Sequence, residues 1–318
     1  MQKTAEIYIE PASLRKIFQT LGSMYLIWIG ISLFVFHTGH LLPLDRESQH
    51  LLSPFSLLFF LCLASGLTAM FMIYAEPLLR PHHRLRKALL LLCTAISAGL
   101  FAFARVSGSI HPLIYIAGTA NLLVFASLLG SWIVAPLKRP AELLPLCLVM
   151  ALVDIFSVAG GPTKKIAETL EKYYRSGMKG PAPAGDFILF KIPVPGLENL
   201  VPLFGLADWI IIAFLAAYSA KFSISDNITG RSLNRMKENR RLSFYLPVPV
   251  MGLIAGIFLA RFLGIFLPAL PIIVVFFLGY IMTKYPEARN LTHSDRKLML
   301  ITLAAMAGLV AVRFFLFQ

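Results

Sequence analysis

Asp154 and Asp208 are the two carboxylates that sit well inside apolar runs. One lies in Leu152-Val153-Asp154-Ile155-Phe156-Ser157-Val158, the other in Gly205-Leu206-Ala207-Asp208-Trp209-Ile210. The other acids fall in connections or at the ends of apolar stretches, among them Glu76, Glu142 and Glu198. A charged Asp near the centre of a membrane helix costs about 2.5–3.5 kcal/mol, so two of them need a reason, and the default reason is function. Two carboxyl groups held close together cannot both ionise easily; one keeps a proton, the other is an anion, and the pair titrates as a unit. Such a pair can break an amide. The anion draws a proton from a shared water, the water attacks the carbonyl, and the protonated partner donates to the oxyanion and then to the leaving amine. This chemistry calls for no metal and no cofactor. The bland alternative is a structural pair hydrogen-bonded to Ser, Asn or backbone.

Other residue types offer less. No HExxH is present for a zinc route, His37-Thr38-Gly39-His40 reads as an interfacial pair, and His82-His83 lies among arginines. Cys62, Cys93 and Cys147 all fall in apolar stretches without metal-ligand spacing and read as small buried hydrophobes. Arg105-Val106-Ser107-Gly108 lacks the first Gly of a rhomboid-like nucleophile turn, and no Ser/His couple follows it.

The elements that must carry the two acids are membrane helices. Of 318 residues 58% are hydrophobic and 14% charged, with a mean hydropathy of +0.75, against about 45–50% and about 25% in soluble domains. A soluble enzyme is excluded. The 29 Lys and Arg against 16 acids lie between apolar runs rather than on one basic face, which points to a bilayer and not to nucleic acid. The pattern predicts an all-α, polytopic membrane protein with about nine transmembrane helices, near 20–42, 54–76, 87–107, 112–136, 141–161, 197–219, 244–264, 267–284 and 297–317. The first begins too late, and without a small-residue cleavage site, to be a signal peptide.

Nine spans put 19 Lys and Arg on one side and 10 on the other, so the N-terminus is expected in the cytoplasm and the 162–196 segment outside. Asn227-Ile228-Thr229 and Asn290-Leu291-Thr292 then fall on the cytoplasmic side, where they are chance matches to a glycosylation triplet. Asp154 lies six residues before Gly160-Gly161-Pro162, and Asp208 six residues after Pro202, which can open its helix. Each is then about 9 Å below the outer face.

These segments resemble the presenilin and signal peptide peptidase family of intramembrane aspartyl proteases. Val153-Asp154 stands where that family has Tyr-Asp, Gly205-Leu206-Ala207-Asp208 where it has Gly-x-Gly-Asp, and Leu267-Pro268-Ala269-Leu270-Pro271 matches its Pro-Ala-Leu motif. The resemblance covers about 140–284 and implies a presenilin-like fold. It implies Asp154 and Asp208 as the catalytic pair, with Pro268, Ala269 and Leu270 lining the site beside Gly205, Leu206 and Ala207. Prepilin peptidases share the Gly-x-Gly-Asp signature but are not expected to carry Pro-Ala-Leu. Three departures stand out: Val153 for Tyr, Ala207 for the second Gly, and aspartates on the fifth and sixth spans rather than the sixth and seventh.

The chain divides on this reading into an N-terminal helical part, 1–140, a catalytic part, 141–284, and a C-terminal extra helix, 285–318. Phe187 to Pro195 is apolar and β-favouring. Phe190 and Ile192 in it could lend an edge to an unwound substrate strand, and family members are similar in having a short strand here. Gly252 and Gly256 form a GxxxG that predicts close helix packing, and Arg261 is placed to snorkel to head groups. Lys164, Lys165, Lys172, Arg175 and Lys179 make the outer loop basic, and a solvated face is their simplest role. The expected partners are transmembrane-helix or signal-peptide substrates and the lipid bilayer. Two other classes fit the same acids: a proton-coupled transporter or ion-leak protein, and a catalytically silent membrane scaffold.

Overall fold

A computed structural model of the chain describes residues 11–41, 46–107, 111–178, 180–264 and 267–316. Lys3, Gly108 and Lys179 lie outside these residues, as do the side chains of His40, Arg46, Ser107 and Arg313. The described chain is mostly helical. In order it forms α1 (Pro11–Leu41), α2 (Arg46–Met70), α3 (Glu76–Leu79), α4 (His83–Ser107), α5 (Pro112–Val134), α6 (Leu143–Gly160), α7 (Pro162–Arg175), strands β1 (Leu189–Ile192) and β2 (Val201–Gly205), then α8 (Leu206–Lys221), α9 (Leu233–Asn239), α10 (Val248–Leu263), α11 (Ala269–Lys284) and α12 (His293–Leu316). Among the described residues five helices are long and apolar enough to cross a membrane: Pro11–Gly39, Leu52–Leu79, His83–Val106, Pro112–Val134 and Pro140–Gly160.

Local chemistry explains the breaks. Between α2 and α3 the turn Phe71–Ala75 is π-helical, because Pro77 in the first turn of α3 has no N–H for the Ile73 carbonyl. Gly161 caps α6 in an extended conformation, and Ser157 and Thr163 hydroxyls bond across the break at 2.6 Å. Pro162 then opens α7, whose apolar and charged faces are well separated and which buries no residue.

The sixth span begins later than its sequence suggests. The sixth helix does not start at Pro202; it starts at Leu206, because Val201–Gly205 is drawn into an antiparallel pair with β1. Proline is tolerated on such a strand because a two-stranded sheet has edges that need no donor. Asp208 is therefore in the first turn of its helix, not a turn and a half inside it.

The chain forms two compact units, Met1–Val134 with Leu170–Pro247 and Ala135–Thr169 with Val248–Gln318. Both are interleaved along the sequence, whereas the parts 1–140, 141–284 and 285–318 are contiguous.

In the first unit α5 is the central helix and packs against α1, α4 and α8. Gly130 lets α5 and α8 approach so closely that a Cβ there would lie 2.6 Å from the Phe214 nitrogen. The polar groups of α5 are satisfied inside the core: Asn121 donates to the Cys93 carbonyl and the Ser97 hydroxyl, both at 2.7 Å, and accepts from the Tyr25 hydroxyl.

In the second unit α6 packs against α11 and α12, and α10 against α11. The Arg139 guanidinium, just before α6, bonds Glu142 and both carboxylate oxygens of Asp295 in the first turn of α12.

Candidate functional site

The carboxylate of Asp208 is shaped by where α8 begins. A helix leaves its first N–H groups without partners, and an acid in the first turn answers them with both hydrogen bonds and charge. Gly205 is the N-cap, Asp208 is the third helical residue, and its Oδ2 accepts the Gly205 N–H at 2.9 Å. The half-buried acid is steadied by its neighbour. Trp209 is fully buried, donates to the Thr68 hydroxyl at 3.2 Å and stacks on Phe204 with centroids 5.3 Å apart. Phe204 in turn stacks on Phe190 at 4.7 Å. Gly205 has ordinary extended backbone, and a Cβ added to it would meet the Asp208 carboxylate at 3.5 Å. Nothing within the unit demands a glycine there.

Asp154 belongs to the second unit and faces a different helix end. Pro268 is the N-cap of α11, so Ala269 and Leu270 are its first two helical residues. The next, Pro271, has no N–H, and the Leu270 N–H, among the first of the helix, faces the Asp154 carboxyl. The Pro-Ala-Leu segment and Asp154, over 110 residues apart in sequence, thus meet. Leu270 is buried, while Pro268, Ala269 and Asp154 are half-buried. Val153, beside Asp154, is exposed at 55%.

The remaining candidates divide by exposure. Leu206 is half-buried and Ala207 exposed. Phe190 and Ile192 are buried at 0% and 2% exposure, and β1 lies against α5, where Thr119 Oγ1 accepts the Lys191 N–H at 3.3 Å. The more open strand is β2, half-buried except at Phe204. Among the described residues no group of three or more His, Cys, Asp and Glu side chains is arranged to hold a metal ion.

Two acids in the connections between apolar runs, Asp186 and Asp226, are fully buried. Asp186 receives the Tyr115 and Tyr174 hydroxyls and the Lys191 ammonium. Burial pulls Lys191 down to about 8, against the opposing influence of Asp186. Asp226 accepts the Tyr245 hydroxyl at 2.8 Å, and burial raises it to about 7. Only the Lys191 partner of Asp186, five residues on in a β-favouring run, left a local signal in the sequence. Comparison with protein-family models, with curated proteins and with solved structures finds no match.

Proposed function

We propose that this chain is an intramembrane aspartyl endopeptidase, a multi-pass protein of about nine spans with a presenilin-like arrangement. Its N-terminus lies in the cytoplasm and its 162–196 segment outside, and it hydrolyses peptide bonds within transmembrane helices or signal peptides. The observation that carries this reading is the shared treatment of the two acids. Each is a carboxylate in an apolar helix, and each lies at the backbone N–H of a helix start: Asp208 accepts the Gly205 N–H at 2.9 Å, and Asp154 faces the Leu270 N–H. Such donors stabilise an anion without supplying a counter-charge that would abolish its basicity.

In the reaction Asp154 and Asp208 share one proton. The ionised member takes a proton from water as the oxygen attacks the scissile carbonyl; the protonated member donates to the oxyanion and, as the tetrahedral intermediate collapses, a proton passes to the leaving nitrogen. The substrate must first unwind, since a helical peptide bond in lipid is screened by its own hydrogen bonds. An unwound segment would pair with β2, which leads directly into Asp208, with Pro202 limiting the length of pairing. Exposed Ala207 and half-buried Leu206, Pro268 and Ala269 would line the path of the substrate. Phe190 and Ile192 would support β2 from beneath.

The test uses a single-helix reporter co-reconstituted with the full chain. Asp154→Ala and Asp208→Ala are each expected to reduce cleavage to background, and cysteines placed at 154 and 208 together to cross-link under oxidation. Cleavage surviving either substitution overturns the reading. Reporter binding without any cleavage by the native chain would identify a scaffold, and Asp-dependent proton flux without cleavage a transporter.

A further inference from the structure

We propose that Asp186 is a positioning residue for Asp208: it anchors β1, and through the β1–β2 pair it sets the Gly205 N–H that orients the Asp208 carboxylate. The proposal rests on the reading of Asp208 as catalytic, but its structural half stands by itself.

Asp186 gathers three segments onto one carboxylate. Tyr115 comes from the first turn of α5, Tyr174 from the end of α7, and Lys191 from the middle of β1. The carboxylate is at 0% exposure and the Lys191 side chain at 4%, so both charges are out of solvent and each is the other's compensation. The Lys191 ammonium also lies over the Tyr115 ring, 3.2 Å from its centroid. A buried pair of this kind is a poor source of stability, but losing one member leaves an unpaired charge inside the protein. The arrangement therefore tolerates little displacement.

The path from this cluster to Asp208 is short and lies within one unit. The backbone of Lys191 is fixed to α5 through Thr119, and Lys191 is paired with Pro202 on β2. Its neighbour Phe190 pairs with and stacks on Phe204, and Phe204 stacks on Trp209, the residue after Asp208. Leu189 is opposite Gly205, whose N–H reaches Asp208 at 2.9 Å. A two-stranded ribbon is marginal alone in water. Here one strand is held from outside the ribbon, and that strand holds the other.

Hydrogen–deuterium exchange and cleavage kinetics on the full chain in nanodiscs of phosphatidylcholine with phosphatidylglycerol test this. Asp186→Asn and Lys191→Met are each expected to raise exchange at least tenfold at 201–205, leave the centres of α5 and α8 unchanged, and lower kcat for the reporter about tenfold with KM held within twofold. Asp186→Asn combined with Lys191→Met removes both charges and is expected to recover most of the protection and the rate. Tyr174→Phe, which deletes one hydrogen bond, gives a milder change of the same sign should the charge variants fold poorly. Unchanged exchange at 201–205 in Asp186→Asn overturns the proposal, as does loss of protection spread evenly through α5 and α8. If the native chain does not cleave, or Asp208→Ala still cleaves, the proteolytic reading fails while the exchange result still decides whether Asp186 sets Gly205.

Discussion

A carboxylate removed from water responds to whatever donors surround it, and Asp226 shows the consequence for pH. The Tyr245 hydroxyl donates to it at 2.8 Å and favours the anion, yet burial outweighs this and the acid is pushed up to about 7 from an ordinary 3.8. Between those values the folded chain keeps a proton that the unfolded chain has lost. The stabilisation from this site is therefore complete below the lower value and is lost as pH rises through the upper one. Next to it, Asn227 ties the same connection without titrating, donating to the Arg231 and Phe244 carbonyls and accepting the Leu246 N–H at 3.0 Å. Raising the pH from 5 to 8 is thus expected to increase amide exchange in 222–226, after correction for intrinsic rates, more than at 227–231. Asp226→Asn should flatten that dependence and keep the low-pH protection. A wild-type profile independent of pH over this range would show that Asp226 does not exchange its proton there.

At the scale of the element, the Gly252–Gly256 pair separates into two different residues. A Cβ at 252 would lie 2.6 Å from the Ile273 Cα, backbone against backbone, so α10 and α11 must part before alanine fits. At 256 the nearest atom is the Ile272 Cδ1 at 3.5 Å, an ordinary contact with a movable side-chain end. Gly252→Ala should destabilise by about 1–3 kcal/mol, while Gly256→Ala is expected to be neutral or stabilising by up to about 1 kcal/mol, both read from unfolding in mixed micelles. Equal losses from the two would mean that the motif acts as one surface. The GxxxG spacing was legible in the sequence because helical periodicity is local, and so were the helices, since each apolar run reports its own burial in lipid. Asp154 and Asp208 were legible for the same reason, as charges within such runs. The start of α8 was not, because Pro202 suits a helix start and a strand edge equally, and only pairing with Leu189–Ile192 decides between them. Lys191 apart, the cluster around Asp186 was not legible, because its tyrosine partners lie 71 and 12 residues away and a hydropathy profile records no partners.

For the whole molecule the open quantity is how many helices cross. α8, α10 and α11 have 16 residues each, about 24 Å, against about 30 Å of hydrocarbon. For α8 the first unit places a contact with α5 at each end. Its last residue, Lys221, donates to the Val134 carbonyl at the end of α5 at 3.0 Å, while β1, paired with the strand that leads into α8, is bonded to Thr119, two turns into α5. Strand pair and helix together thus lie along α5 from Thr119 to Val134, part of a 23-residue helix that is itself long and apolar enough to cross. At the far end α9 reaches the end of the second span: Lys237 pairs with Glu76 at 3.7 Å, and the Tyr74 hydroxyl donates to the Arg240 carbonyl at 3.0 Å. If α8 crosses, the basic α9 shares a side with Arg80 and Arg84, the clustering that the positive-inside tendency favours. The expected outcome is that a membrane-impermeant maleimide labels Lys165→Cys in intact cells and Lys237→Cys only after permeabilisation, with Cys93 and Cys147 silent because they are buried. Labelling of both from outside would make α8 a re-entrant helix. The count of nine would then fall, and α9 with Glu76 would have to be placed on the outer face.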